Sequence, residues 1–531
     1  MTEDWLKFKK YPHIGEPLSS KRDKYWIIKY VSNPDNITHH KFVPLIHKTI
    51  KMRKFRPLPD ATKNNSGKRE RSIDKKEREI YYMSHLDSII YAYYNFLLSN
   101  KYEEFLSDKA YSPSIVAYRK IPIHHNSKNN KCNIEFAFDA FNYIHNNKNK
   151  QLSIIITDIT SFFDNLDHKI LHSQWKRIIG TDNLPEDHYA IYKNLINIKF
   201  VNEFDLYMRF KDKLYVERYK PNDTSKRTIR QKRINNHNYL RRENVVAYCS
   251  KKDFFKYATD LIRTDKPNNN KIREQMGRTE KKGIPQGTPI SATLANIYMI
   301  DFDEHIYNET NSIDRPAFYQ RYSDDIILIC DRKDEEFYYN LLLKEIDECV
   351  KLDIKKEKTK IYRYETNSDM IFSGGLYNPH DNSISSNKHI EYLGFMYNGS
   401  KVYIKTAGFS KFYRNMKHSF KRGAHFAKQN NSYSGKLFEH RLYKRYTYIG
   451  SKRRLIWKPN KNNPSEYICT KTYDWGNLIS YIYKANKIML HINNDNCISK
   501  QTRKIWDKFH KIKKFTYDEI KKSLQNNNKY L

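Results

Sequence analysis

The stretch Phe318-Tyr-Gln-Arg-Tyr-Ser-Asp-Asp-Ile-Ile-Leu-Ile-Cys330 decides the fold. Two adjacent carboxylates, Asp324 and Asp325, stand between apolar runs. Ile326 to Cys330 reads as a buried strand, and the aromatic run Phe318 to Tyr322 as its partner. The two make a β-hairpin with an acidic tip. Carboxylates crowded on a tight turn repel each other unless a cation neutralises them. Hard divalent cations do this through oxygen ligands, and Mg2+ combines one or two carboxylates with substrate phosphates. An exposed acidic turn is the bland alternative for this stretch alone, so the rest of the chain decides.

A second apolar, β-branched strand, Leu152-Ser-Ile-Ile-Ile-Thr-Asp158, also ends in a carboxylate. Ile159 to His168 follows, then a helix from about His168 to Ile179. One central sheet brings Asp158 beside Asp324 and Asp325. Two metal ions held by three such acids activate an attacking oxygen and stabilise a leaving pyrophosphate. Taken alone, Asp158 is equally a turn or helix-cap residue.

Composition points to the partner. The 531 residues are too many for one core and imply two to four lobes. Lys and Arg number 97 against 60 Asp and Glu, a formal charge of +37, which calls for a polyanion. The 43 Tyr and 27 Phe among these cations suit single-stranded nucleic acid, where bases stack and phosphates need cations. Six cysteines without paired spacing give no zinc site or disulfide framework and fit a reducing cytosol. Met1 to Lys10 lacks an apolar signal core, and no apolar run reaches membrane-spanning length. The expected location is the cytoplasm, with no membrane partner.

The other segments arrange themselves around the acids. Residues 62–76 form a basic loop whose Lys68, Arg69 and Arg71 can meet a triphosphate, since guanidinium forks onto phosphate oxygens. The spacing of Ile80, Met83, Leu86, Ile90, Tyr93, Tyr94 and Leu97 predicts a helix from about Glu77 to Asn100. Val116 to Arg119 is a second small basic element. Residues 133–150 read as a short helix. Residues 201–282 are strongly basic, with helical patches near 252–263. They are either a nucleic-acid-contacting insertion or solvated surface.

Gly283-Ile-Pro-Gln-Gly287 is a turn leading to an apolar helix capped near Ser291, and Gln286 on it can read a sugar edge or brace a template. Residues 333–353 form an amphipathic helix. Within Lys355 to Lys360 a lysine can neutralise a leaving pyrophosphate, with a strand after it at Ile361 to Tyr364. His389 to Lys405 reads as a hairpin with an Asn-Gly turn. The chain is helical and basic from Ser410, an irregular basic loop over 451–470, and helical again over 475–527. There Trp475, Leu478, Tyr481, Ala485 and Ile488 share a core stripe.

In this order the elements resemble reverse transcriptases over about residues 60–430. Asp158 with Phe163 resembles their first catalytic motif, Ile284-Pro-Gln-Gly287 their Pro-Gln-Gly motif, and Tyr322-Ser-Asp-Asp325 their Tyr-x-Asp-Asp motif. Lys358-Thr359 is similar to their lysine motif, and Tyr392-Leu-Gly-Phe395 to their primer-grip hairpin. Gly67 to Ile73 is similar to their fingers element, with Arg71 at its phosphate-binding arginine. Motifs in this order at compatible spacing are together far more specific than any one. Ser114 to Arg119, Phe409 to Met416, Leu442 to Tyr446 and Asn477 to Ala485 resemble the abortive-infection and defence-associated bacterial branch.

The resemblance implies an α+β right-hand polymerase followed by an α-helical C-terminal domain. Residues 1–60 are then an N-terminal extension, 61–400 fingers and palm with a basic insertion at 201–282, 401–450 the thumb, and 451–531 the helical domain. It implies that Asp158, Asp324, Asp325 and the Ile159 carbonyl hold two Mg2+ ions, with Mn2+ as a substitute and Asp325 the more distant ligand. Arg71, Phe163, Gln286 and Lys358 would meet the incoming dNTP, Phe163 excluding a 2′-hydroxyl. Lys68, Arg119, Tyr322, Leu393, Gly394 and Phe395 would touch nucleic acid.

The implied function is RNA-directed DNA synthesis in bacterial antiphage defence, onto a 3′-hydroxyl or protein primer. A noncoding RNA template, a DNA product and a homo-oligomer would be its partners. Three rivals stand beside it. A template-independent, possibly protein-primed polymerase uses the same residues. An RNA-directed RNA polymerase is disfavoured by Phe163, and a noncatalytic RNA-binding scaffold would not keep all three acids.

Overall fold

Leu152–Asp158 is the central strand of a six-stranded antiparallel sheet. The computed structural model describes residues 4–53, 75–124, 127, 129–220, 223–264, 282–429, 435–460, 463 and 465–528. Across the sheet the order is Ser383–Ser385, Phe372–Asn378, Lys360–Thr366, Leu152–Asp158, Asp325–Asp331 and Phe318–Tyr322. Helices cover both faces. On one face Ile155, Ile326 and Leu328 pack among the helices His85–Ser107, His168–Ile179, Ser291–Tyr298, Ile300–Thr310 and Glu335–Glu348. On the other, Ile154, Ile327, Ile329 and Tyr362 meet the helices Asn133–Asn146 and Leu478–Asn493. Burial on both faces is why Ile326 to Cys330 is apolar at every position instead of alternating. The helix His168–Ile179 has the predicted bounds, with Asp167 as its cap and a left-handed Gly180 at its end.

Several elements differ from expectation. Lys75–Tyr82 is a strand, not the first turns of a helix, and it pairs antiparallel with Leu45–Arg53 over eight register positions. The helix begins at His85, capped by Ser84. Ile80 and Met83 fit a helical period by coincidence, since the Glu77-Arg-Glu-Ile-Tyr-Tyr82 segment has strand pairing available. Within 201–264, the strands Leu214–Lys220, Asp223–Lys232 and Val245–Cys249 form a sheet with His13–Ile14, over a core including Ile14, Val43, Leu206, Tyr248 and Phe254. This region is therefore a folded unit that captures the N-terminal segment. The 451–470 segment is not an irregular loop: Leu455–Pro459 and Tyr467–Tyr473 form a hairpin. Trp475 is 92% exposed and precedes the helix Leu478–Asn493, whose buried face carries Ile482, Ala485 and Met489. Among the described residues no helix is long and apolar enough to cross a membrane.

Candidate active site

The acidic tip is a two-residue loop. Tyr322 pairs with Asp325, leaving Ser323 and Asp324 between the strands. Ser323 has φ 63° and Asp324 does not share the positive sign, the pattern of a type II′ hairpin turn that normally takes Gly first. A serine held there is strained, and such strain clusters at functional sites. The surrounding structure holds it. Arg321, wholly buried, donates to the Ser323 carbonyl at 3.1 Å and forks onto Asp303 at 2.7 and 2.5 Å. Asp303 also accepts from Tyr319 at 2.6 Å, and Asn296 joins Arg321 to the Ala117 carbonyl. Sequence reasoning missed this bracket. Its only signal was one arginine in an otherwise uncharged strand.

The central strand brings Asp158 directly opposite Asp325, and the Ile159 amide donates to the Asp324 carbonyl at 3.1 Å. This register sets Asp158 beside the acidic tip that carries Asp324. Loss of water, then the neighbouring Asp158, pushes the Asp324 carboxyl above the usual range. Asp325 is pushed up to about 6, first by lost hydration and then by Asp324 and Asp158, although the residue keeps a solvent-facing side. The Lys405 ammonium, paired with Glu391 at 2.6 Å, partly offsets that rise. Lys358 reaches Asp158 Oδ2 with its Nζ at 3.2 Å. The hydroxyls of Thr157 and Thr359, 2.9 Å apart, tie the Asp158 strand to the lysine turn.

Phe163 lies on a short segment locked to the Pro-Gln-Gly loop. Ile284 donates to the Phe163 carbonyl at 2.8 Å and Gly283 to Leu166 at 2.7 Å. A Cβ at Gly283 would stand 2.3 Å from the Asp164 carbonyl oxygen, so only glycine permits this approach. Gln286 is exposed, and its carbonyl accepts from Tyr81 at 3.1 Å. The loop thus joins the Asp158 side to the strand Lys75–Tyr82.

Tyr322 is half-buried near Tyr118 and Phe136. Leu393 and Gly394 form the left-handed turn between Ile390–Tyr392 and Phe395–Tyr397, and Gly394 is exposed. This small sheet is tied to the hairpin by Tyr392, which donates to Gln320 at 3.0 Å.

Two expectations are corrected. Arg119 spends its donors on Glu103, the Ser112 hydroxyl and the Ser112 and Ile115 carbonyls, with a nearly buried side chain. It braces the chain rather than facing nucleic acid. Phe395 is wholly buried in the core under the sheet, so its ring does not reach a primer. Lys68 and Arg71 lie outside the described residues.

The donor set fits divalent cations. It consists of hard carboxylate oxygens at facing strand ends, and Asp324 and Asp325 hold their protons more tightly than isolated carboxylates, a crowding that a cation relieves. Acids of this kind, open to solvent and flanked by lysines, are the equipment of nucleotidyl transfer. Family comparison gives the same class. Residues 244–397 match the family described as reverse transcriptase (RNA-dependent DNA polymerase). That match covers less than a third of the chain. The matched span includes Asp324, Asp325, Gln286 and Lys358 and begins after Asp158 and Phe163.

No curated protein sequence matches the chain. Among solved structures, it is similar to a C-terminally truncated apo telomerase from Candida tropicalis, with 12% identity, TM-score 0.35, and coverage of 73% of this chain and 60% of that one. Telomerase from Candida albicans with a TWJ fragment of telomeric RNA gives 12% identity, TM-score 0.36, and coverage of 93% and 65%. The chain thus spans less than two thirds of each of these telomerase chains.

Proposed function

We propose that this protein copies RNA into DNA at the acid cluster, with two Mg2+ ions held by Asp158, Asp324, Asp325 and the Ile159 carbonyl. The observation that carries the reading is the strand register that sets Asp158 directly opposite Asp325, residues 167 positions apart, at the tip that carries Asp324. When bound, the cations lower the pKa of a 3′-hydroxyl and neutralise charge at the leaving pyrophosphate. The chain's own residues do the rest. Asp158 and Asp324 accept the cations, while Asp325 adds negative charge from the adjoining strand end. Lys358, 3.2 Å from Asp158, would supply positive charge to a triphosphate oxygen at this site. Phe163 forms the floor beneath the sugar and collides with a 2′-hydroxyl. Gln286 and the turn at Leu393 and Gly394 border the track of the nucleic acid.

In right-hand terms, the six-stranded sheet is the palm, the strands around Leu45–Arg53 and Lys75–Tyr82 belong to the fingers, and the basic helix Thr406–Gln429 is the thumb. The biological setting proposed is bacterial antiphage defence, with a noncoding RNA as template. Its support is the resemblance of the four short segments named above. Phe412, Met416, Leu442 and Tyr446 of those segments share one buried cluster.

The test is to purify the full chain with its bound RNA, supply the four deoxynucleotides, and sequence both RNA and product. DNA complementary to the RNA supports the proposal. DNA unrelated to it replaces templated copying with template-independent synthesis, and no product removes the polymerase reading.

A further inference from the structure

His305, Glu345 and Cys349 form a second cluster of metal-ligating groups, away from the acidic tip. Among the described residues it is the one trio of such side chains whose ligand atoms all lie within 4.8 Å of each other. His305 Nδ1 is 2.9 Å from Glu345 Oε2, Cys349 Sγ is 3.0 Å from that same oxygen, and Cys349 Sγ is 3.4 Å from His305 Nδ1. Glu345 and Cys349 are four residues apart at the end of the helix Glu335–Glu348 and so share one face. His305 comes from the neighbouring helix Ile300–Thr310.

We propose that this trio is a zinc site that clamps the two helices together. The donor set is one imidazole nitrogen, one carboxylate oxygen and one thiolate, the mixture that Zn2+ takes in tetrahedral sites. Bonds of about 2.0–2.3 Å place tetrahedral donors roughly 3.3–3.7 Å apart. The cysteine–histidine separation of 3.4 Å already falls in that range and the two to Glu345 stand a few tenths of an ångström inside it, so a small outward movement of the carboxylate admits the ion. The surroundings favour a cation. The carbonyl end of the helix Glu335–Glu348 is partially negative, and Asp301 and Glu348 add negative charge around Cys349. Lys344, 4.0 Å from the other Glu345 oxygen and 3.8 Å from Glu348, and Arg177, 2.6 Å from Asp301, are the opposing charges. Glu345 is buried and His305 is exposed, so the fourth position opens to water. On binding, the Cys349 thiol proton leaves to solvent and the sulfur–zinc bond replaces the hydrogen bond to Glu345.

The clamp has a use. The helix that supplies His305 also supplies Asp303, which holds Arg321 beneath the acidic tip. The other helix continues from the strand Asp325–Asp331 through a single 3-10 turn. A metal joining the two fixes the base of the hairpin without touching substrate.

The experiment strips the full-length chain with EDTA and titrates it with Co2+, then Zn2+, without Mg2+. The expected result is one equivalent of Co2+ showing a thiolate-to-cobalt charge-transfer band, displaced by Zn2+, and a rise in melting temperature with Zn2+. Asp158→Ala keeps the band. Cys349→Ser and His305→Ala bind at least about a hundredfold more weakly, because even supporting groups around a metal cost roughly 10–100-fold. Wild-type protein without the band, or a band that survives in Cys349→Ser, overturns the proposal. If Cys349→Ser does not fold, alkylation of wild type followed by peptide mass spectrometry decides. Zinc must protect Cys349 from the reagent, and equal labelling with and without zinc overturns the site.

Discussion

Like charges directly opposite each other on neighbouring strands destabilise a sheet, and Asp158 and Asp325 are such a pair. Asp325 binds its proton more tightly in the folded chain, at about 6, than an ordinary carboxylate near 3.8. Its contribution to stability is therefore complete below the unfolded value and is lost as pH rises through about 6. In EDTA, the melting temperature of wild type should fall across that window more steeply than that of Asp325→Asn. At neutral pH the variant should be more stable by about 1 kcal/mol, allowing for solvent screening. Mg2+ should raise the melting temperature of wild type more than that of the variant. Parallel melting curves for the two proteins would remove the electrostatic argument. Phe163 carries the other residue-scale prediction. Phe163→Ala should admit ribonucleotides during primer extension, and unchanged discrimination would show that the ring does not guard the sugar.

The hairpin depends on a device behind it, the buried pair of Arg321 and Asp303. Removing one partner of a wholly buried ion pair costs about 3–5 kcal/mol, because the other charge is stranded. Arg321→Met should destabilise by that amount in denaturant titration. Adding Asp303→Leu should restore part of the loss. A single variant as stable as wild type would mean that the bracket does not hold the tip. Legibility in sequence divides along the same line. Ile326 to Cys330 and Leu152 to Asp158 were readable because burial on both faces leaves an unbroken apolar run, and the acids stand where those runs stop. Pairing between Asp303 and Arg321 was not readable, since local pattern carries no signal for a contact between a helix and a strand. Arg119 and Phe395 were misplaced for a related reason. Sequence shows that a residue is basic or aromatic, and only tertiary packing decides which way it faces. Lys75–Tyr82 was misread because its few apolar positions satisfy two periods, and the partner strand Leu45–Arg53 selects one.

At the scale of the whole chain, the excess of 37 positive charges should make the proposed nucleic-acid binding strongly salt-dependent. The helix Thr406–Gln429 buries Phe412, Met416, Phe420 and Ala424 and turns Lys411, Lys417 and Lys421 to solvent. A single-stranded RNA neutralised at about six phosphates should show a log–log salt slope near −4. Lys417→Glu with Lys421→Glu should make that slope shallower without changing the melting temperature. A flat salt dependence in wild type would argue against phosphate contacts as the source of affinity. The central claim is that acids distant in sequence act together in nucleotidyl transfer. Its most direct measurement is single-turnover primer extension by wild type, Asp158→Asn and Asp324→Asn on one RNA template, with RNA affinity measured in parallel. Both variants should lose at least about a thousandfold in rate, about 4 kcal/mol of transition-state stabilisation, while binding RNA as wild type does. Extension at the wild-type rate by either variant would contradict the account.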